Sequence, residues 1–163
     1  MNNTAQWTVH PMLQKHKWEI DTWKYDGVYA FYNRMDPGVP IGDADAPVAD
    51  SYAVLDETGA LMGHFHFGAD AHIPTVENYD YTPDHLDIGL GLRPDLCGHG
   101  AGAQFVAMGL AFAQKRYGAH RFRLSVAAFN ERAIKTYEKV GFSKVCEVTN
   151  SYFKNKFYIM VKE

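Results

Sequence analysis

Two groups of residues in this 163-residue chain have the types and spacing to do chemistry. The first is Cys97-Gly98-His99-Gly100-Ala101-Gly102, a glycine-dense turn behind the apolar run His85 to Leu92. A strand that feeds such a turn at the start of a helix makes an anion site. Backbone N–H groups point outward there, and the helix dipole adds roughly half a positive charge. The second group is Asn130 and Tyr137. Asn130 follows the run Phe122 to Ala128 and suits a helix N-cap, while Tyr137 brings a phenol to the helix that closes at Gly141-Phe142. Proton-transfer groups lie close by in sequence: His85 and Asp87 on the first run, and His64 and His66 sharing one face of an earlier one. No HExxH or Cys-x-x-Cys accompanies these histidines, so no metal site is expected.

The glycine turn admits other readings. Gly98 to Ala103 satisfies G-x-G-x-x-A, a dinucleotide fingerprint, which wants a carboxylate at the end of the next strand to hold a ribose hydroxyl. Here that strand ends Val126-Ala127-Ala128-Phe129-Asn130, with no acid before Glu131. A P-loop needs Gly-Lys-Ser/Thr, and Gly102-Ala103-Gln104 excludes it. A turn that serves only tight strand-to-helix packing stays open beside the anion site.

The elements that must hold these groups follow from pattern. Thr8 and Val9 end a short first strand, and Pro11 suits an early helical position before an imperfect period at Leu13, Lys17, Ile20, Trp23 and Lys24. One or two helices are expected between Pro11 and Arg34. The runs Ser51 to Leu55 and Leu61 to Phe67, around Asp56 to Ala60, form an antiparallel hairpin. Two proline-containing loops, Asp36 to Pro47 and Ala69 to Asp84, flank it, and long loops of this kind are often functional. Then come the strand His85 to Leu92, a helix from Ala101 to Tyr117 closed by Gly118, the strand Phe122 to Ala128, the helix Glu131 to Val140, and strands near Ser143 to Thr149 and Phe157 to Lys162. A mixed sheet results, antiparallel early, with a parallel strand–helix–strand unit in the middle.

Composition bounds the rest. Hydrophobic residues at 47% and charged residues at 21% describe a globular chain. A net charge of −3 speaks against a nucleic-acid partner. No stretch has the length of a membrane span, so no membrane partner is expected. Two cysteines without ligand spacing suit a reducing compartment, and a cytoplasmic location is expected.

Leu92-Arg93-Pro94-Asp95-Leu96-Cys97-Gly98-His99-Gly100-Ala101-Gly102, followed by Asn130-Glu131-Arg132-Ala133-Ile134-Lys135-Thr136-Tyr137-Glu138-Lys139-Val140-Gly141-Phe142, resembles the GNAT superfamily of acyl-CoA-dependent N-acetyltransferases. Those proteins carry a pyrophosphate turn, Gln/Arg-x-x-Gly-x-Gly/Ala, and a later Asn-x-x-Ala-x-x-x-Tyr-x-x-x-Gly-Phe. The likeness is strongest over Asp87 to Phe142. It implies an α/β (α+β) fold in a single domain over residues 1–163: a mixed, mostly antiparallel central sheet with a splayed parallel strand pair and flanking helices. It implies acetyl-CoA as acyl donor, with coenzyme A bound where His85 to Leu92 and Phe122 to Ala128 part.

On this resemblance Leu90, Gly91 and Leu92 pair through their main chain with the pantetheine arm. Gly98, His99, Gly100, Ala101, Gly102 and Ala103 cradle the pyrophosphate, and Asn130 and Ala133 complete the cofactor set. Tyr137 matches the residue that commonly protonates the departing thiolate. Two positions depart from the pattern. Cys97 stands where the turn usually has glutamine or arginine. Leu86 stands where some members have a glutamate base, which leaves its neighbours His85 and Asp87, turned inward by a bulge, or His64 and His66, to take the proton. The activity implied is acetyl transfer to a primary amine, of a small molecule or a protein, by direct attack in a ternary complex. A non-catalytic acyl-CoA sensor is the alternative that Leu86 and Cys97 raise. The aromatic N-terminal segment and the two long loops are expected to shape the acceptor side, with Tyr25, Tyr29 and Tyr32 either lining an amine pocket or, the commoner fate of such residues, packing in the core, and a homodimer is among the assemblies open to the chain.

Overall fold

A computed structural model of the chain describes residues 4–34 and 39–163. Asp36, Pro37 and Gly38 of the first long loop lie outside the described residues. The elements are β1 (Thr8–Leu13), α1 (Gln14–Asp21), β2 (Pro47–Leu55), β3 (Leu61–Phe67), β4 (Leu86–Leu92), α2 (Gly102–Tyr117), β5 (Phe122–Ala127), α3 (Glu131–Val140), β6 (Ser143–Thr149) and β7 (Lys156–Lys162). Their sheet order is β1-β2-β3-β4-β5-β7-β6. Pairing is antiparallel for β1–β2, β5–β7 and β6–β7, and parallel for β4–β5. The described chain falls into two compact units, residues 1–65 with 90–101 and residues 66–89 with 102–163.

The first unit is built on the β1–β2 ladder, which runs from Thr8↔Leu55 to Leu13↔Pro47 with a bulge between Pro11 and Leu13. Pro11 therefore sits in a strand and does not open a helix as its sequence suggests. β1 ends the sheet order, and an edge strand beside a bulge tolerates the missing N–H. α1 starts three residues later, where His16 Nδ1 accepts the Leu13 N–H at 3.0 Å. The expected second helix is a single 3-10 stretch, Gly27–Tyr32. Trp23 is buried with Ala53 and Leu61, and Ile20, Tyr25 and Leu55 pack around them. The hairpin turn between β2 and β3 is pinned by Asp56, whose Oδ1 accepts the N–H groups of Thr58 and Ala60.

In the second unit β5 pairs with β7 along its whole length, from Phe122↔Lys162 to Ala127↔Phe157. Against β4 it pairs only at Leu86↔Phe122 and Asp87↔Arg123. Phe105, Val106, Leu110 and Ala113 of α2, Phe122, Leu124 and Val126 of β5 and Ile159 of β7 are buried in this unit. Gly118, at φ +68°, ends α2 by donating its N–H to Gln114 O. Asn130 caps α3 by accepting the Ala133 N–H at 3.1 Å, and Gly141 ends it in the left-handed region. The start of α2 runs so close to α3 that a Cβ on Gly102 would lie 3.2 Å from Thr136 Cγ2. The loop Ala69 to Asp84 contains a 3-10 turn, Gly68–Ala71, and is tied to the β6–β7 turn by Val76 N–H to Thr149 O and Ser151 N–H to Pro74 O.

Candidate active site

In the second unit, β4 and β5 start as a parallel pair and part beyond Asp87 and Arg123. β5 keeps its β7 ladder through Ala127, so the end of the β4 pairing is not a fraying of β5. A strand whose parallel ladder ends this early keeps main-chain N–H and C=O groups with which an extended ligand can pair.

The foot of this fork is charged. Arg123 Nε and Nη2 each donate at 2.7 Å to Asp87 Oδ1 and Oδ2, and Nη2 also reaches Thr82 O at 2.8 Å. The two side chains are only 2% and 7% exposed. Such a forked pair survives burial because its geometry is bidentate and Nη2 finds a further acceptor in Thr82 O. His72 Nε2 lies 2.9 Å from Asp87 Oδ2, and its ring stacks on Tyr81 at 3.9 Å with planes 10° apart. The Tyr81 hydroxyl accepts the Ile73 N–H and approaches Ser125 Oγ at 3.4 Å. Arg123 Cζ stands 5.1 Å from the centre of the Tyr81 ring. A cavity of about 580 Å³ opens beside these groups, with His72, Tyr81, His85, Tyr117 and His120 in its wall.

This arrangement alters the reading of Asp87. Both carboxylate oxygens are held by Arg123, and one of them also meets His72, so Asp87 sits in a buried ion pair and not as an open proton acceptor. His85 precedes β4 and places its Nε2 3.0 Å from Glu163 Oε1. Glu163 is held at a pKa of about 2 by hydrogen bonds from Arg121 and His85. His66 of β3 lies next to Gly89 of β4, where burial lowers its pKa and favours the neutral ring, against the opposing charge of Asp70. No bulge is recorded within the short β4–β5 register.

In the first unit, the space above Gly91 is filled by His64: a Cβ there would lie 2.3 Å from His64 Nε2. The same imidazole faces Trp23, ring centres 5.9 Å apart. The Leu92 carbonyl accepts the Tyr25 hydroxyl at 2.9 Å and stands 3.6 Å from the Cys97 Sγ, which also reaches Arg93 O at 3.6 Å. Burial raises the Tyr25 pKa, which keeps the phenol a donor. Tyr25 thus acts on the main chain of β4. Arg93 anchors the strand end through its N–H to Met62 O and its side chain to Leu61 O. A 3-10 turn, Pro94–Leu96, follows, and then Gly98 at φ +76° and Gly100 at φ +87°, angles that side-chain-bearing residues rarely adopt.

Leu90 is the β4 residue preceding Gly91, and His99 lies between the two left-handed glycines. Ala101 is buried at 2% exposure, while Ala103 falls in the first turn of α2. Ala133 spends its N–H on the Asn130 cap. Tyr137 is half-buried on α3, edge-on to Phe142 with ring centres 6.1 Å apart. Among the described residues no three His, Cys, Asp or Glu side chains gather as metal ligands, and no helix is long and apolar enough to cross a membrane.

His72 and Arg123 escaped the sequence reading. Arg123 had left a signal, since a lone cation in the apolar strand Phe-Arg-Leu-Ser-Val-Ala requires a buried partner. His72 had left none: it lies in a loop, 15 residues from the carboxylate it meets.

The model of the acetyltransferase (GNAT) family matches residues 7–142. The chain belongs to that family. Its likenesses among solved structures include a chimera of the spermidine N-acetyltransferase SpeG from Vibrio cholerae and hSSAT, with a TM-score of 0.70 at 16% identity over 97% of this chain and 95% of the other. The aminoglycoside-bound AAC(6')-Ib, solved with paromomycin and acetyl-CoA, gives 0.69 at 18% identity over 96% and 93%. A GNAT-family acetyltransferase from Bacillus anthracis gives 0.63 at 16% over 96% and 93%. At these identities the likenesses establish the fold, a mixed sheet with flanking helices. No curated protein matches the chain. Among the described pairings only β4–β5 is parallel, so the dinucleotide-binding alternative lacks the parallel sheet it needs.

Proposed function

We propose that residues 1–163 form one catalytic domain that transfers the acetyl group of acetyl-CoA to a primary amine by direct attack in a ternary complex. The single observation that carries this reading is the β4–β5 pairing, which stops after two residues between strands of seven and six. Family membership supplies the donor, and solved family-fold structures hold acetyl-CoA or coenzyme A.

In this reading the pantetheine arm pairs with Leu90 and Gly91. Leu92, whose carbonyl already accepts the Tyr25 hydroxyl, contributes its N–H. The main chain from Gly98 to Ala103 takes the pyrophosphate, as turn N–H groups at a helix start favour anions. Asn130 fixes the opening of α3, and Tyr137 meets the sulfur. The amine lone pair attacks the thioester carbon, forming the C–N bond. Collapse then breaks the C–S bond, and the departing thiolate takes the phenolic proton of Tyr137, which solvent restores. We place the enzyme in the cytoplasm, where the thiols of Cys97 and Cys146, which form no disulfide, stay reduced.

Thiol release from acetyl-CoA, followed with a panel of primary amines, tests the reading. Tyr137→Phe is expected to lower kcat on the order of 10²-fold while coenzyme A binding, measured by calorimetry, is retained. Tight coenzyme A binding without thiol release on any amine would instead identify a sensor.

A further inference from the structure

Every acetyl transfer to an amine must put one proton of the attacking nitrogen somewhere, and the family's glutamate position holds Leu86 here. Asp87 is locked to Arg123, which removes the nearest carboxylate from that role. One group beside it is built to accept a proton. With Nε2 at 2.9 Å from Asp87 Oδ2, the His72 ring donates its Nε2–H to the carboxylate, and the lone pair resides on Nδ1. The ring plane is set by stacking on Tyr81, whose own hydroxyl is fixed by Ile73 and Ser125. Asp87 is held in turn by the Arg123 fork. A histidine oriented by a buried carboxylate that a second residue immobilises is the general arrangement of an activated base. His72 is nevertheless 32% exposed at its side chain, because it stands in the wall of the 580 Å³ cavity.

We propose that His72 is the proton acceptor for the attacking amine, that Asp87 and Arg123 are its positioning residues, and that the cavity beside it admits that amine. The proposal rests on the acetyltransferase reading given above. As the amine nitrogen forms its bond to the thioester carbon, its proton passes to His72 Nδ1. The imidazolium is stabilised by Asp87 and returns the proton to water in the cavity. His72 meets Asp87 from β4 and Tyr81 from the loop, and behind them Arg123 from β5 holds Asp87 and faces Tyr79 and Tyr81. Across the cavity stand Asp84, His85, His120 and Arg121, with Asp70 nearby in the chain.

Three measurements test it on the full chain. In the thiol-release assay with spermidine, an aminoglycoside and a lysine peptide, His72→Gln is expected to cut kcat about 10²–10⁴-fold, to leave the KM for acetyl-CoA unchanged and to erase the acidic limb of the pH–rate profile. Asp87→Asn is expected to lower kcat with the limb displaced. Ala69→Trp, at the cavity wall, is expected to raise the KM for the amine alone. A His72→Gln enzyme with wild-type kcat and an unchanged acidic limb overturns the base assignment. An unchanged amine KM in Ala69→Trp overturns the role of the cavity. Nitrogen-15 NMR of the imidazoles gives an answer that needs no turnover: the Nε2–H tautomer supports the dyad, and an Nδ1–H tautomer refutes it. Wild-type protein that releases no thiol with any of the amines overturns the acetyltransferase reading, and the NMR result stands apart from that failure.

Discussion

At the scale of single residues, the site is defined as much by side chains that are missing as by those present. Gly91 of β4 has no Cβ because the His64 imidazole occupies its place. Gly91→Ala must drive that ring away from Trp23, and a cost of about 1–3 kcal/mol is expected, as for other overpacked positions. Urea denaturation of the variant measures it, and an unchanged midpoint would show that His64 swings aside freely. Residues whose roles follow from local backbone were readable in advance: Gly98 and Gly100 for their left-handed angles, Asn130 for its cap, Gly118 and Gly141 for helix ends. Residues whose roles follow from distant partners were not. Nothing local distinguishes His72, and Asp87 looked like an open acid until Arg123, 36 residues on, closed around it.

Among the elements, β4 and β5 share a buried charge pair, Asp87 and Arg123, within their short ladder. Removing one member of a buried pair strands the other, so Arg123→Ala is expected to cost roughly 3–5 kcal/mol in a urea titration. Replacing Asp87 and Arg123 together with leucines is expected to recover most of that loss, since the stranded charge is gone, while acetyl transfer stays impaired. A double variant as unstable as Arg123→Ala would mean that the pair is packed too specifically for apolar substitutes. The boundaries of β4, α2, β5 and α3 agree with the sequence pattern to about one residue, because period, caps and glycine stops reinforce one another there. Pro11 failed that test: its helical signal is local, and pairing with Tyr52 across the β1–β2 ladder outweighs it. The loop Ala69 to Asp84 carries no periodic pattern, yet its bonds to the β6–β7 turn hold it in place, and long-range bonds of that kind leave no periodic trace.

For the molecule as a whole, half-buried His66 contributes to the response to acid. Burial lowers the His66 pKa below its ordinary 6.5. The unfolded chain therefore binds more protons than the folded one in the window beneath that value, so stability rises with pH through it and is lost as pH falls below 6.5. His66→Gln is expected to flatten this slope in thermal melts taken between about pH 8 and pH 5. A variant as acid-sensitive as the parent would assign the slope to other groups. Composition alone conveyed class and size, and two linked motifs conveyed family. The proposed proton route through His72 rests on which loop folds over which strand, a placement that leaves no local trace in the sequence.

The thiol that stands in for an arginine or glutamine at position 97 is turned back toward the carbonyls of Leu92 and Arg93. On the acetyltransferase reading, the diphosphate of the donor is then gripped by oriented amides and not by a permanent charge from that residue. Dissolved ions screen full charges at a distance far more than short contacts to fixed dipoles. Donor capture by this protein should accordingly be less sensitive to ionic strength than capture by a turn that carries arginine there.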